Sequence, residues 1–280
     1  MTAVDHPAGD VARDRIGREV QLHTEVASTN DLARAAALAG EREGLVIVAD
    51  VQTAGRGRLG RAWQAPPGTC LLMSILFRPP EPIAPYAART TMVCGLALRE
   101  SVRALVEDGP AAQAQLKWPN DLIVPAPERP VGWAKLAGML SEIVLDAEQR
   151  RPLALIVGIG LNVNVPPAAL ADLGPHATSL LALLGRAVDR TVLLQGLVGA
   201  IDRRYGALRR GVDPFPAWQG ALAWLGETVE VHGPQASWEG VAETVDETGA
   251  LWLRTGDGQL RAFSAGDVSL RPGKGRVPET

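Results

Sequence analysis

The chain has 280 residues, 46% of them hydrophobic and 21% charged, the balance of a folded globular protein rather than a disordered or fibrous one. A formal net charge of −3 excludes a globally basic chain that coats nucleic acid. The two cysteines, Cys70 and Cys94, cannot build a disulfide framework, and no cysteine–histidine cluster has zinc spacing. At about 150 residues per domain, the length predicts one large domain with a smaller companion.

The polar, mixed-charge start is no signal peptide, and the longest apolar stretch, 153–161, is too short to cross a bilayer. These features predict a cytoplasmic protein with no membrane partner. Residues 1–20 read as a flexible lead-in. Ser28-Thr29-Asn30-Asp31 has the spacing of a capping box, opening a helix over 32–39 that Gly40 closes. The β-branched run 45–49 is a buried strand, followed by a Gly/Arg segment over 53–61 and a second strand over 70–77. Apolar residues at every third or fourth position predict a long helix over 86–106. Short strands follow at 115–118 and 121–124, then longer ones at 136–145 and 153–163, with helices within 191–209 and 216–225. Strands predominate early and joining helices are few, so the main domain, 21–225, reads as α+β rather than a regular βαβ series.

From Gly226 the texture changes to short alternating strands at 228–231, 240–245, 250–253, 260–263 and 268–270. This spacing predicts a small barrel over 226–272, near the lower size limit for a self-sufficient core and therefore leaning on the main domain. Residues 273–280 read as a tail.

Scarce residues mark the candidate chemistry. Of 28 basic residues only Lys117, Lys135 and Lys274 are lysine, and Asn30, Asn120, Asn162 and Asn164 are all the asparagine. In an arginine-rich chain, a retained lysine suggests a place where a compact ammonium is needed instead of a broad guanidinium fork. Gly55-Arg56-Gly57-Arg58-Leu59-Gly60 matches G-x-G-x-x-G after a strand. A dinucleotide fold needs a helix next, whereas Pro66-Pro67 follows here and blocks one. The segment therefore reads as an anion-binding loop, its glycines allowing close approach and Arg56, Arg58 and Arg61 supplying charge; a solvated basic loop is the plain alternative. Three glycines and three arginines within 53–61 predict a loop that is mobile when empty and orders once a ligand supplies apolar contact and negative charge. Lys117-Trp118-Pro119-Asn120-Asp121 sets a lysine and an asparagine beside a carboxylate. Lys135 opens a strand in which Gly138 admits a close neighbour, and alternation predicts that Asn162 and Asn164 share a face.

Jointly, from Ser28 to Arg271, these segments resemble the biotin protein ligases. The resemblance implies a mixed β-sheet with helices packed on one side, as in class II synthetases and biotin-lipoate ligases, followed by an SH3-like barrel. It implies that biotin reacts with ATP to give biotinoyl-AMP and pyrophosphate. A lysine of a biotin carboxyl carrier domain, from an acetyl-CoA, propionyl-CoA or pyruvate carboxylase, then takes the biotinoyl group. By the resemblance, Ser28, Thr29, Asn30, Gln52, Gly55, Arg56, Arg58, Lys135 and Gly138 contact biotin. Arg58, Arg61, Trp63, Lys117, Asn120, Lys135, Asn162, Asn164 and Arg271 contact ATP or the adenylate. Lys135, Arg58 and Asp121 carry the chemistry, and Asp121 is the candidate ligand for Mg2+. Some members carry an N-terminal DNA-binding helix-turn-helix. The 27 residues before Ser28 are too few for one, so the resemblance is to the monofunctional type, with no DNA partner. The rival readings are a lipoate-type ligase of related fold and a nucleotide- or nucleic-acid-binding regulator.

Overall fold

The computed structural model describes residues 15–80, 82–146, 148, 151–233, 236–264 and 269–273. Most of the expected lead-in and tail, and Val268 of the expected last strand, lie outside the described residues. The main sheet comprises β1 (Glu19–Val26), β2 (Leu45–Gln52), β3 (Cys70–Phe77), β4 (Gln115–Lys117), β5 (Asp121–Pro125), β6 (Trp133–Leu145) and β7 (Pro152–Asn162). Its spatial order is β1-β2-β3-β7-β6-β5-β4. The β1–β2 pair is parallel and the other pairs are antiparallel, so the sheet is mixed. Around it lie α1 (Thr29–Leu38), α2 (Ile83–Arg103), α5 (Arg190–Arg209) and the short helices α3 (Gly109–Ala112), α4 (Leu180–Leu184) and α6 (Phe215–Gln219).

Because side chains alternate across a strand, each apolar run sorts its residues between the two faces. Val46, Val48, Leu71, Met73, Ile75 and Phe77 join Val93, Ala97 and Leu98 of α2 and Leu197 and Ile201 of α5 in the main core. Each large side chain buried there contributes roughly 1.5–3 kcal/mol. Leu45, Ile47, Leu76, Ala154 and Ile156 face the other way, onto Ala33 and Ala37 of α1. Helices on one side thus describes the long pair α2 and α5; the short α1 takes the opposite face. It covers one end of the strands, over Leu45 and Ile47 of β2, Leu76 of β3, Val144 of β6 and Ala154 and Ile156 of β7, and the rest of that face carries the cavity described below.

Two expectations need correction. Ser28 does precede α1, but its side chain makes no capping hydrogen bond, and the carboxylate of Asp31, the other member of the box, pairs with Arg56. The lead-in expected to 20 is already strand from Glu19. β1 escapes the hydrophobic pattern because it is an edge strand whose Val20 and Leu22 face outward, Leu22 at 73% exposure.

The C-terminal unit is an antiparallel, SH3-like sheet of β8 (Thr228–His232), β9 (Ser237–Val245), β10 (Leu251–Thr255), β11 (Leu260–Phe263) and β12 (Ser269–Pro272). Their order is β11-β10-β9-β8-β12. As expected of so small a barrel, it shares its core with the main domain: Val229, Val231, Leu251 and Leu253 belong to the same continuous cluster as β3 and α2. Trp118 Nε1 donates to Gly249 O at 2.9 Å across the junction, and Gln219 Nε2 donates to Thr244 Oγ1 at 3.0 Å.

Candidate active site

A cavity of about 520 Å³ opens on the face that α1 leaves uncovered. The strand register makes its floor. Across β3, β7 and β6, Ser74 pairs Gly158 and Gly158 pairs Leu140; one row on, Leu72, Gly160, Gly138 and Asp121 align across β3, β7, β6 and β5. Residues so aligned point to one side of a sheet. Gly158, Gly160 and Gly138 clear space there that side chains would fill. A Cβ on Gly158 would sit 2.3 Å from Asn30 Oδ1, and one on Gly160 would lie 2.6 Å from Trp63 Cε2. On Gly138 it would meet Trp63 Cζ3 at 3.0 Å and Lys135 Nζ at 3.1 Å. The Trp63 indole therefore lies against the paired glycines, with its buried Nε1 hydrogen-bonded to no described residue.

One end of the cavity is uncharged. Gln52 Oε1 accepts from the Thr29 backbone N–H at 2.7 Å and from Thr29 Oγ1 at 3.1 Å. The Ser74 hydroxyl donates to Asn30 Oδ1 at 2.6 Å and lies 2.7 Å from Thr29 Oγ1. Asn30 Nδ2 donates to Glu142 Oε2 at 2.6 Å. Ser28, Thr29, Asn30 and Gln52 all line the cavity, so the start of α1 and the end of β2 present a preformed set of neutral donors and acceptors.

The other end is cationic. Asp121, buried, has Lys135 Nζ at 2.7 Å from Oδ1 and Lys117 Nζ at 3.3 Å from Oδ2. Burial works to raise its carboxyl pKa, and the two ammoniums, Lys135 foremost, outweigh it, so Asp121 titrates below the ordinary carboxylate range. Lys117 is shifted downward: burial disfavours its charge, Asp121 favours it, and the cations of Lys135 and Arg58 add to the burial effect. Its Nζ also lies 5.4 Å from the centre of the Trp133 ring. Lys135 Nζ stands 5.4 Å from the centre of the Trp63 ring. Lys135 and Gly138 meet on one face although three positions apart, because the β5–β6 register skips Leu136. Such a bulge re-aims the side chain beside it.

The glycine-arginine loop folds over this cavity as a tight hairpin. Gly57 N donates to Arg61 O at 2.7 Å, and Trp63 N donates to Gly55 O at 2.8 Å. Its arginines are less alone than their spacing suggests: Arg56 forms a two-pronged pair with Asp31 at 2.8 and 2.5 Å. Arg58 Nη1 donates to Asn120 Oδ1 at 3.0 Å. The loop thus has protein partners at its base and near its tip.

Ser28, Thr29, Asn30, Gln52, Arg56, Arg58, Arg61, Trp63, Lys117, Asn120, Asp121, Lys135, Gly138 and Asn162 gather around the cavity, as expected of one site. Gly55, Asn164 and Arg271 do not line it. Gly55 is buried beneath the loop, where a Cβ would come 2.5 Å from Trp63 O. Asn164 faces Val188, accepting from its N–H and donating to its carbonyl, both at 2.9 Å; β7 ends at Asn162, so strand alternation no longer governs it. Arg271 lies on β12, opposite Glu230. Residues 172–177, which no pattern singled out, close the far side. Lys135 N donates to His176 O at 2.6 Å and Thr178 N donates to Lys135 O at 2.9 Å, strapping this segment to β6. The His176 ring lies 4.9 Å from Trp133. Burial, then the positive charges of Arg271, Arg129 and Lys117, hold its pKa below the ordinary histidine value. The one available signal was rarity, since the chain has only 4 histidines.

The Biotin/lipoate A/B protein ligase family profile matches residues 24–162, and that of the Biotin protein ligase C terminal domain matches residues 224–271. The Biotin--[acetyl-CoA-carboxylase] ligase of Mycobacterium tuberculosis is 32% identical over 254 residues, covering 90% of this chain and 88% of that one. The bifunctional ligase/repressor BirA of Bacillus subtilis is 30% identical over 258 residues, 91% of this chain and 75% of its own. Among solved structures, the biotin protein ligase from Aquifex aeolicus in complex with biotin and ATP superposes with a TM-score of 0.71 at 26% identity, covering 91% of this chain and all of that one. Among the described residues, no helix is long and apolar enough to cross a membrane.

Proposed function

The chain belongs to the biotin/lipoate A/B protein ligase family and is a biotin protein ligase, and from that premise we propose how its cavity divides the work. The neutral cluster of Ser28, Thr29, Asn30 and Gln52 takes the biotin ring, for uncharged donors and acceptors suit an uncharged ring in a mostly apolar slot. The biotin carboxylate then lies toward Lys135, where the α-phosphate of ATP meets it. A carboxylate oxygen attacks phosphorus, the bond to the β-phosphate oxygen breaks, and pyrophosphate leaves. Two anions must approach, so the barrier is largely electrostatic, and preorganised cations lower it. Lys135 is the reacting-centre cation. Arg58, Arg61 and Lys117 set the potential around it, and Asn120 holds Arg58 in place. Trp63 forms an apolar wall over the glycine rows.

In the second step the neutral ε-amine of an acceptor lysine attacks the carbonyl carbon of biotinoyl-AMP. AMP leaves, an amide forms, and the amine's surplus proton passes to solvent. This step needs no nucleophile from the enzyme. The acceptor is a biotin carboxyl carrier domain of an acetyl-CoA, propionyl-CoA or pyruvate carboxylase, and an enzyme using ATP on such an acceptor works in the cytoplasm. The expected magnesium site does not fit the residues present. Both Asp121 oxygens are engaged by lysines, so its carboxylate is not free to take an ion. No step is therefore routed through a protein-bound metal; magnesium chelated by ATP is part of that substrate.

The observation that carries this reading is the meeting of a neutral and a cationic end over one glycine floor. Mass spectrometry of a purified carrier domain, incubated with the protein, ATP and either biotin or lipoate, tests it. One biotinoyl group on one lysine is expected. Lipoylation, or no modification while a reference ligase modifies the same domain, refutes it.

A further inference from the structure

The bidentate pair between Arg56 and Asp31 sits outside the reaction just described. Asp31 lies in the first turn of α1, and Arg56 opens the loop hairpin, bridging to Ala62. Both guanidinium nitrogens of Arg56 that face α1 are engaged, at 2.8 and 2.5 Å. Glu142 stands 4.0 Å from the same guanidinium. It also accepts from Arg34 Nη2 at 2.9 Å and from Asn30 Nδ2 at 2.6 Å. Thus the group that presents Asn30 to the cavity shares a carboxylate with the group that anchors the loop. An arginine fork fits a carboxylate in two-point geometry, and a guanidinium so held is not aimed at a substrate anion. The neighbouring cation Arg34 adds to the effect of Arg56 in keeping Asp31 ionised, its pKa below the ordinary range. One unfavoured backbone conformation follows along the hairpin, Leu59 at φ 59°. A bend of this kind persists only where its surroundings hold it.

We propose that Asp31 is a positioning residue, a latch on α1 that holds the arginine loop closed through Arg56, so that Arg56 serves the loop and not the ligand. The proposal deepens the ligase reading and rests on it for its functional half alone. Opening the latch loosens the loop in the ligand-free protein and shortens the residence of biotinoyl-AMP, leaving Lys117 and Lys135, which the sheet carries, in place. Both side chains are partly exposed, Arg56 at 40% and Asp31 at 43%, so neither supports the core, and the effect is that of a screened pair, about fivefold.

The test is a double-mutant cycle of Asp31→Asn and Arg56→Gln in the full chain. Hydrogen exchange of residues 55–63 without ligand is the first readout, and the release rate of biotinoyl-AMP after one turnover is the second. Asp31→Asn is expected to speed both about fivefold while protection in β3 and β7 is unchanged. Adding Arg56→Gln is expected to change either by less than about twofold, because the second change acts on a pair already broken. Unchanged loop exchange or unchanged release in Asp31→Asn overturns the latch, and so does multiplication of the two effects, which would place Arg56 on the ligand. A parent protein that makes no biotinoyl-AMP from biotin and ATP instead overturns the ligase reading, and the exchange arm still decides the latch.

Discussion

Replacing Lys135 by alanine tests the electrostatic account most directly. The change removes the Lys135 ammonium, 2.7 Å from Asp121 and on a side chain 32% exposed, and leaves the stabilising contacts of biotin's neutral end in place. Loss of one preorganised charge at a reacting centre costs about 3 kcal/mol, which corresponds to about a 150-fold fall in the rate of biotin-dependent pyrophosphate release. The variant also leaves the buried Asp121 with Lys117 as its remaining ion-pair partner. Removing one member of a buried pair is destabilising, by about 3 kcal/mol where no other partner remains and by less here, where one does. Melting temperature separates the two effects. So does a second variant, Lys135→Ala with Asp121→Asn, which relieves the uncompensated carboxylate. If Lys135 acts on the transition state, the double variant regains stability and stays slow. Pyrophosphate release is measured at saturating biotin and ATP, well below the melting transition. A folded Lys135→Ala protein within twofold of the parent refutes the assignment, and so does recovery of the rate by Asp121→Asn.

Arg58→Ala removes the contact to Asn120 and is expected to raise release of biotinoyl-AMP into solution about tenfold, the worth of a charged hydrogen bond; an equal or larger loss of ATP affinity in calorimetry refutes it. Gly160→Ala puts a Cβ 2.6 Å from the Trp63 ring and should cost about 1–3 kcal/mol of stability along with a shift in tryptophan fluorescence. Gly196→Ala, on α5 with no atom within 4 Å of the added carbon, should stabilise by about 0.5–1 kcal/mol, and the reverse order in thermal melts contradicts the packing. For His176, the folded pKa lies below the ordinary value, so the unfolded chain takes up the proton first as pH falls. Its contribution to stability is full above about pH 6.5 and declines below it toward the folded pKa; His176→Gln should therefore lose less melting temperature than the parent between about pH 7 and 5.5, and parallel curves refute this.

Rarity in the sequence pointed to the site better than periodicity did. Lys117, Lys135, Asn30, Asn120 and Asn162 all line the cavity, because an arginine-rich chain keeps lysine and asparagine where fork geometry does not serve. Asn164 shows the limit of the rule, since holding the Val188 backbone also demands an amide. Continuous apolar runs were equally legible: the strand expected over 70–77 is β3 to the residue, a run buried along its whole length. What local pattern missed depends on partners distant in sequence. The carboxylate expected to complete the capping box pairs instead with Arg56, distant in sequence, and the shared face of Lys135 and Gly138 comes from a bulge that only the β5–β6 pairing reveals. The strap over 172–177 has no period to read, for it combines backbone hydrogen bonds to Lys135 with apolar contacts at Leu173 and Ala177 alone.

On the proposed reaction, the floor and the loop tie charge and water to one structural element. A β-sheet face studded with side chains offers no flat surface, and here the facing pair Gly138 and Gly160 clears one just wide enough for an indole. That indole belongs to Trp63, at the end of the same hairpin that carries Arg58 and Arg61. Opening the loop therefore withdraws cations and apolar wall together: the adenylate loses its counter-charge as its anhydride becomes exposed to water. Exclusion of water protects a reactive intermediate and strengthens each electrostatic contact inside the site. A loop carrying charge alone would leave the anhydride wet, and one carrying only the indole would bury an anion without compensation. Placing both on one short hairpin, secured to α1 at Asp31 and to the β4–β5 turn at Asn120, makes retention of the intermediate a property of loop position, and this is why substitutions at either anchor should act on release before they act on adenylation.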